Sequence, residues 1–172
     1  MTTASAELLI DAFGRIREEV HAVLDGLSEK ELAERLDGAA NPIGWLVWHL
    51  TRVQDDHLAD VAGDEQVWRT GGWEQRLGLP YAAGATGYGQ SDADVDAFQG
   101  VPAKDLAAYH DAVHEQTVGY LRGLTDPDLE RVVDERWDPP VTLGVRLVSV
   151  VSDDLQHVGQ AALVRGVLQH RR

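Results

Sequence analysis

Apolar residues recur at intervals of three and four along four stretches of the chain, and each stretch reads as an amphipathic helix. The first covers about 6–27, where Leu8, Leu9, Ala12, Phe13, Ile16, Val20, Leu24 and Leu27 form one side and Gly26 and Ser28 end the run. The segment SEKE, Ser28 to Glu31, has the form of a capping box and begins a short piece reaching Leu36. The second long helix starts with Asn41 as its cap and Pro42 in its first turn, and continues to about Ala62. Ile43, Leu46, Val47, Leu50, Val53 and Leu58 make its apolar side, with Trp45 and Trp48 adding bulk. A third runs from Pro102 to Leu124 with Leu106, Val113, Thr117, Tyr120, Leu121 and Leu124 in line, and the last from about Thr142 to Leu168.

Two segments break the rhythm. Residues 63–101 carry seven glycines between Gly63 and Gly89 and the aromatics Trp68, Trp73, Tyr81 and Tyr88. An irregular stretch of that length inside a compact fold is either functional or a linker, and its aromatics argue against disorder. SDADVDAF, Ser91 to Phe98, fits one or two capped turns, as does TDPDLE. RVVDERWDPPVTLGV contains Pro139-Pro140 and is not helical throughout. The expectation is an all-α four-helix bundle, one domain spanning 1–172, with a long loop between the second and third long helices.

Composition narrows the function. The net charge of −14 opposes nucleic acid and anionic membranes as partners, since both need a basic surface. There are no cysteines, hence no disulfide, no thiolate nucleophile of the protein's own and no cysteine-ligated zinc. The N-terminal segment is amphipathic and charged rather than signal-like, and no run is long enough to span a bilayer. The cytoplasm is the expected location.

Candidate chemistry lies with histidine and aspartate. In SDDLQHVGQ, Asp153 and His157 are four apart and share one face of the last helix. In YHDAVHEQT, His110 and His114 show the same spacing on the third, with His110 on the inward side and His114 nearer the edge. Imidazole nitrogen and carboxylate oxygen both ligate divalent first-row metals, and two ligands a turn apart need a third from a facing helix. Spacing alone does not choose between the pairs. Asp56 reads as a solvated or capping carboxylate, His57 as a packing or surface residue, Arg52 and Arg165 as surface arginines rather than partners of an anionic substrate group, and Gly159 as the mark of a close helix crossing or a dimer seam. The loop aromatics are suited either to lining a substrate entrance or to packing over the bundle end.

NPIGWLVWHLTRVQDDH, GLPYAAGATGYGQSDADV and DDLQHVGQAALVRG together resemble the DinB-like, YfiT-like superfamily of four-helix bundles, and within it the actinobacterial branch with the HxGQ ending. The resemblance spans nearly the whole chain. It implies a divalent metal, zinc or nickel first and iron or manganese next, held by one histidine of the second helix and an HxxxH of the last. Carried over, the ligands are His49, Asp153 and His157, with Asp153 standing where the family has histidine. That substitution brings a negative charge and a harder donor. Asp154, Gln156 and Gln160 are then candidates for orienting an imidazole N–H. The resemblance further implies a homodimer and a small-molecule transferase or hydrolase that uses a low-molecular-weight thiol of the mycothiol type. The competing reading is a non-catalytic metal-binding or stress-associated dimer.

Overall fold

A computed structural model describes residues 2–171. Helix α1 (Ala4–Leu24) starts at Thr3, whose hydroxyl accepts from the Ala6 amide, and α2 (Glu29–Leu32) starts at Ser28 with the reciprocal Ser28–Glu31 capping box. Then follow α3 (Ile43–Ala62), α4 (Val67–Thr70), α5 (Trp73–Leu77), α6 (Asp92–Asp96) and α7 (Ala103–Arg122). Strands β1 (Val132–Asp134) and β2 (Val141–Thr142) form an antiparallel hairpin, and α8 (Leu143–His170) closes the chain. Short 3-10 turns lie at Leu36–Gly38 and Asp126–Glu130.

The four long helices form the expected all-α bundle. In the bundle, α3 packs against α7 and α8, and α1 packs against the same two from the other side. Contacts fix the directions. Thr51 meets His110, Gln54 meets Thr117 and the Val61 carbonyl meets Tyr120, so α3 and α7 run parallel. His49 meets His157 while His57 meets Arg146, so α8 runs antiparallel to α3. Parallel neighbours cannot be joined by a tight turn. The chain must travel back along the bundle between α3 and α7, and that return is the long glycine-rich segment. Phe13, Ile16, Val20, Leu50, Leu106, Leu121 and Leu147 fill the core between the helices.

Local details differ from expectation. Asn41 does not cap α3: Pro42 is the capping residue, without a side-chain hydrogen bond. The piece opened by Ser28 ends at Leu32, and a 3-10 turn with Asp37 at φ 52° replaces its expected continuation. Gly159 is not at a close crossing. It is exposed on α8, and a Cβ placed there would meet nothing within 4 Å. The hairpin was outside the helical pattern altogether, because its strands are three and two residues long. Among the described residues no helix is long and apolar enough to cross a membrane.

Candidate metal centre

Helix α3 presents His49, Val53 and His57 at intervals of four on the side facing α8, and α8 answers with Asp153 and His157. The ring centroids of His49 and His157 lie 4.6 Å apart, edge to face at 73°. Asp153 Oδ1 is 3.6 Å from His157 Nε2. One ligand atom from each of His49, Asp153 and His157 falls within 4.8 Å of the others, the single such group of three or more among the described residues.

The geometry around His49 is tightly specified. Its Nδ1–H donates to the Thr86 carbonyl at 2.5 Å, which leaves Nε2 with the free lone pair that a metal requires. Trp45 stacks on the ring at 4.8 Å and 16°. The loop supplying Thr86 is pinned on both sides by α3 itself: Arg52 Nε donates to Ala85 O, and Trp45 Nε1 donates to Gln90 Oε1. Gly87 follows Thr86 at φ +97°, a conformation that side chains rarely adopt, so the loop approaches the imidazole where only glycine fits.

Arg52 is therefore not a surface arginine. It is 0% exposed and also donates to Gln66 Oε1 and the Tyr109 hydroxyl, while Asp55 beside it accepts from the Val67 and Trp68 amides and from Tyr109. These two charged residues of α3 tie down the start and the middle of the return segment. Asp56, read as solvated or capping, accepts from Gln66 Nε2 and lines the cleft beside His49. Arg165 holds the end of α1 through the Val23 and Asp25 carbonyls.

Electrostatics separate the two imidazoles. Burial pushes the His49 pKa below its ordinary value, against the smaller raising effect of its bond to Thr86. His157 is raised, chiefly by Asp153, and Asp153 is lowered by His157. The pairing favours a proton on His157, with which a metal would compete. The donor set fits a divalent cation: one imidazole is fixed in the metal-binding tautomer, the second and a carboxylate stand within reach, and Asp153 Oδ2 is buried without a partner. Metal–ligand bonds of roughly 2.1 Å bring donors to roughly 3–4 Å of one another, so closure asks only small side-chain rotations.

Of the residues expected to orient an imidazole, Gln160 lies 3.4 Å from His157 Nδ1 through Oε1. Gln156 instead turns back to Ser152, and Asp154 points into the bundle, fully buried with both oxygens unpartnered. The structure brings neither to the imidazoles. His110 is also inside the bundle, bonded to Thr51 at 3.0 Å, and it and His114 join no third ligand among the described residues.

Two clefts meet at the centre. One, of about 460 Å³, is lined by His49, Val53, Asp56, His57, Thr86, Tyr88 and Asp153. The other, of about 370 Å³, lies between the hairpin and α8 and shares Val53, His57 and Asp153 with the first. Of the loop aromatics, Tyr88 is 93% exposed over the first cleft, whereas Trp68 and Trp73 are buried against Tyr109. Sequence reasoning missed Thr86, Gly87, His57 and Arg146. The glycine was the visible signal, but nothing in it named the partner.

A sequence model described as mycothiol-S-transferase matches residues 8–170. The crystal structure of a conserved protein from Enterococcus faecalis superposes with a TM-score of 0.88 at 24% identity, covering 96% of each chain, and shows the same fold. No curated protein matches significantly.

Proposed function

Because the chain belongs to the mycothiol-S-transferase family, we propose that it is a cytoplasmic, metal-dependent enzyme that transfers a low-molecular-weight thiol of the mycothiol type to a small electrophile. The observation that carries the reading is the convergence of His49, Asp153 and His157, with Asp153 lining two adjoining clefts and His49 one of them. A divalent metal bound there, zinc or nickel first, would supply Lewis acidity that deprotonates a coordinating thiol at neutral pH.

The chain's own residues do the rest. Thr86 holds the His49 proton on Nδ1, and Gln160 stands at Nδ1 of His157 to do the same on the other ring. Asp153 adds a negative charge to a set that would otherwise be neutral. Val53 and Thr86 wall the cleft beside His49, and Trp45 stacks on the imidazole and fixes its plane. The protein has no cysteine, which accords with a thiol that arrives as substrate. A homodimer is part of the proposal, supported by Val148, Leu155 and Leu163, which are exposed on the outer side of α8.

The test is conjugation of mycothiol to monochlorobimane by metal-loaded protein. A rate above the uncatalysed reaction, lost in His157→Ala with the helical circular dichroism intact, is expected. No acceleration with any divalent metal would leave the non-catalytic metal-binding reading.

A further inference from the structure

The cleft between the hairpin and α8 has chemistry the metal centre does not use. Asp134, buried at the end of β1, is approached by two guanidiniums: Arg136 Nε at 2.9 Å and Arg146 at 3.2 Å. One carboxylate cannot balance two cations. The other bond of Arg146 runs to His57 Nδ1 at 2.9 Å, and a nitrogen that accepts from a guanidinium is unprotonated and carries no charge. Asp153 closes the near end of the cleft but is taken up by His157. Asp60 acts on Arg136 only from a distance. One guanidinium is thus left without a carboxylate of its own at the wall of a concave site, where Asp56 and Asp60 act on the neighbouring His57 only from a distance, on a chain whose net charge is −14.

The walls point to the rest of the ligand. Val53, Val141, Val145 and Val150 make one side apolar. Trp137 stands at the hairpin tip 66% exposed, its ring lining the same cleft. An indole left open to water at the mouth of a pocket costs hydration free energy that a planar ligand would recover. The cleft volume of about 370 Å³ suits a small molecule. Guanidinium groups match the planar, two-oxygen geometry of a carboxylate better than any other common anion-binding side chain.

We propose that this cleft binds an aromatic carboxylate, its carboxylate on Arg146 and Arg136 and its ring on Trp137, as the acceptor substrate: a carbon–carbon double bond conjugated to the ring faces Asp153, and the thiol sulfur adds to one carbon while the thiol proton goes to its neighbour, so that no group leaves. The assignment as acceptor rests on the enzymatic reading above, but the binding itself does not.

The experiment is calorimetric titration of the full chain with 1-naphthoate and, in parallel, with the neutral 1-naphthamide, on zinc-loaded and on chelator-treated protein. The acid should bind about tenfold or more tightly than the amide in both states, the preference expected of a charge-assisted hydrogen bond. Arg146→Gln and the exposed Arg136→Gln should each reduce that preference, and Trp137→Ala should weaken acid and amide alike. Arg136→Gln leaves the partly buried Arg146 bonds in place, so it serves if Arg146→Gln fails to fold. Equal binding of acid and amide, no binding of either, or a preference seen only with zinc and indifferent to both arginines would overturn the proposal. If the metal-loaded protein shows no thiol-transfer activity while the acid still binds through the two arginines, the enzymatic reading falls and this site stands.

Discussion

Gly87 lies against His49 so closely that a Cβ built on it would fall 2.5 Å from Nδ1. The contact joins a loop to a helix thirty-eight positions earlier in the chain, and it sets which imidazole nitrogen is free. Gly87→Ala would put a methyl group into the ring at a backbone φ of +97° that alanine avoids. It is expected to displace Thr86 from His49 and weaken metal affinity by ~10-fold or more, the usual scale for losing a residue that orients a metal-bound histidine. Chelator competition measures it, with thermal melts to show that the bundle remains folded. Unchanged affinity would mean that the Thr86 bond does not matter to the centre.

Asp153 departs from the histidine that the superfamily resemblance implies, and its carboxylate gives the site a hard donor and a charge. Asp153→Asn should lower affinity for all divalent metals. Asp153→His should retain zinc and nickel while losing manganese, read from parallel chelator competitions. Equal zinc-to-manganese ratios in wild type and Asp153→His would show that residue 153 is not a ligand.

His110 is fully buried and its pKa is pushed down to about 3 by desolvation. The unfolded chain takes up that proton near pH 6.5 while the folded one refuses it until about 3. The unfolded state therefore binds more protons across this window, and stability falls with falling pH at ~1.4 kcal/mol per pH unit from this group alone. His110→Gln should flatten the acid limb between those values in urea melts. An identical pH slope would contradict the burial of a neutral imidazole.

Asp154 works in the opposite sense. Burial raises its pKa well above the ordinary carboxylate value, and no partner meets either oxygen. The folded protein keeps the proton at pH values where the unfolded chain has lost it, so stability is lost as pH rises from about 4 toward the folded pKa. Asp154→Asn removes that penalty. In chelator-treated protein it should raise the melting temperature at pH 7 by several degrees, a gain that shrinks toward pH 4. A lower melting temperature at pH 7 would mean that the carboxylate is satisfied in solution.

The four long helices were legible because their apolar residues keep a period near 3.6 over about twenty positions, as from Leu8 to Leu27 or from Ile43 to Ala62. The pairing of Asp153 with His157 was legible for the same reason, since helical spacing alone puts them on one face. What joined them to His49 was the superfamily pattern, because the facing of two helices is a tertiary fact. The loop contacts could not be read at all. Thr86 has no periodicity to mark it, and its role depends on Arg52 holding the Ala85 carbonyl on one side and Trp45 holding the Gln90 side chain on the other. Arg52 itself was misplaced because arginine is seldom buried; here its Nε and Nη1 reach Ala85, Gln66 and Tyr109, while Nη2 is buried without a partner. Arg146 and Trp137 gained meaning only when the hairpin folded back against α8.

The account turns on a metal at His49, Asp153 and His157, and the direct measurement is metal content by plasma mass spectrometry of tag-free protein, wild type beside His49→Ala. About one equivalent of a divalent transition metal in the wild type, lost in the variant while helical circular dichroism is retained, is the predicted result. Wild-type protein that retains no metal after incubation with zinc, nickel, iron or manganese and desalting, or a variant that keeps its metal, would contradict it.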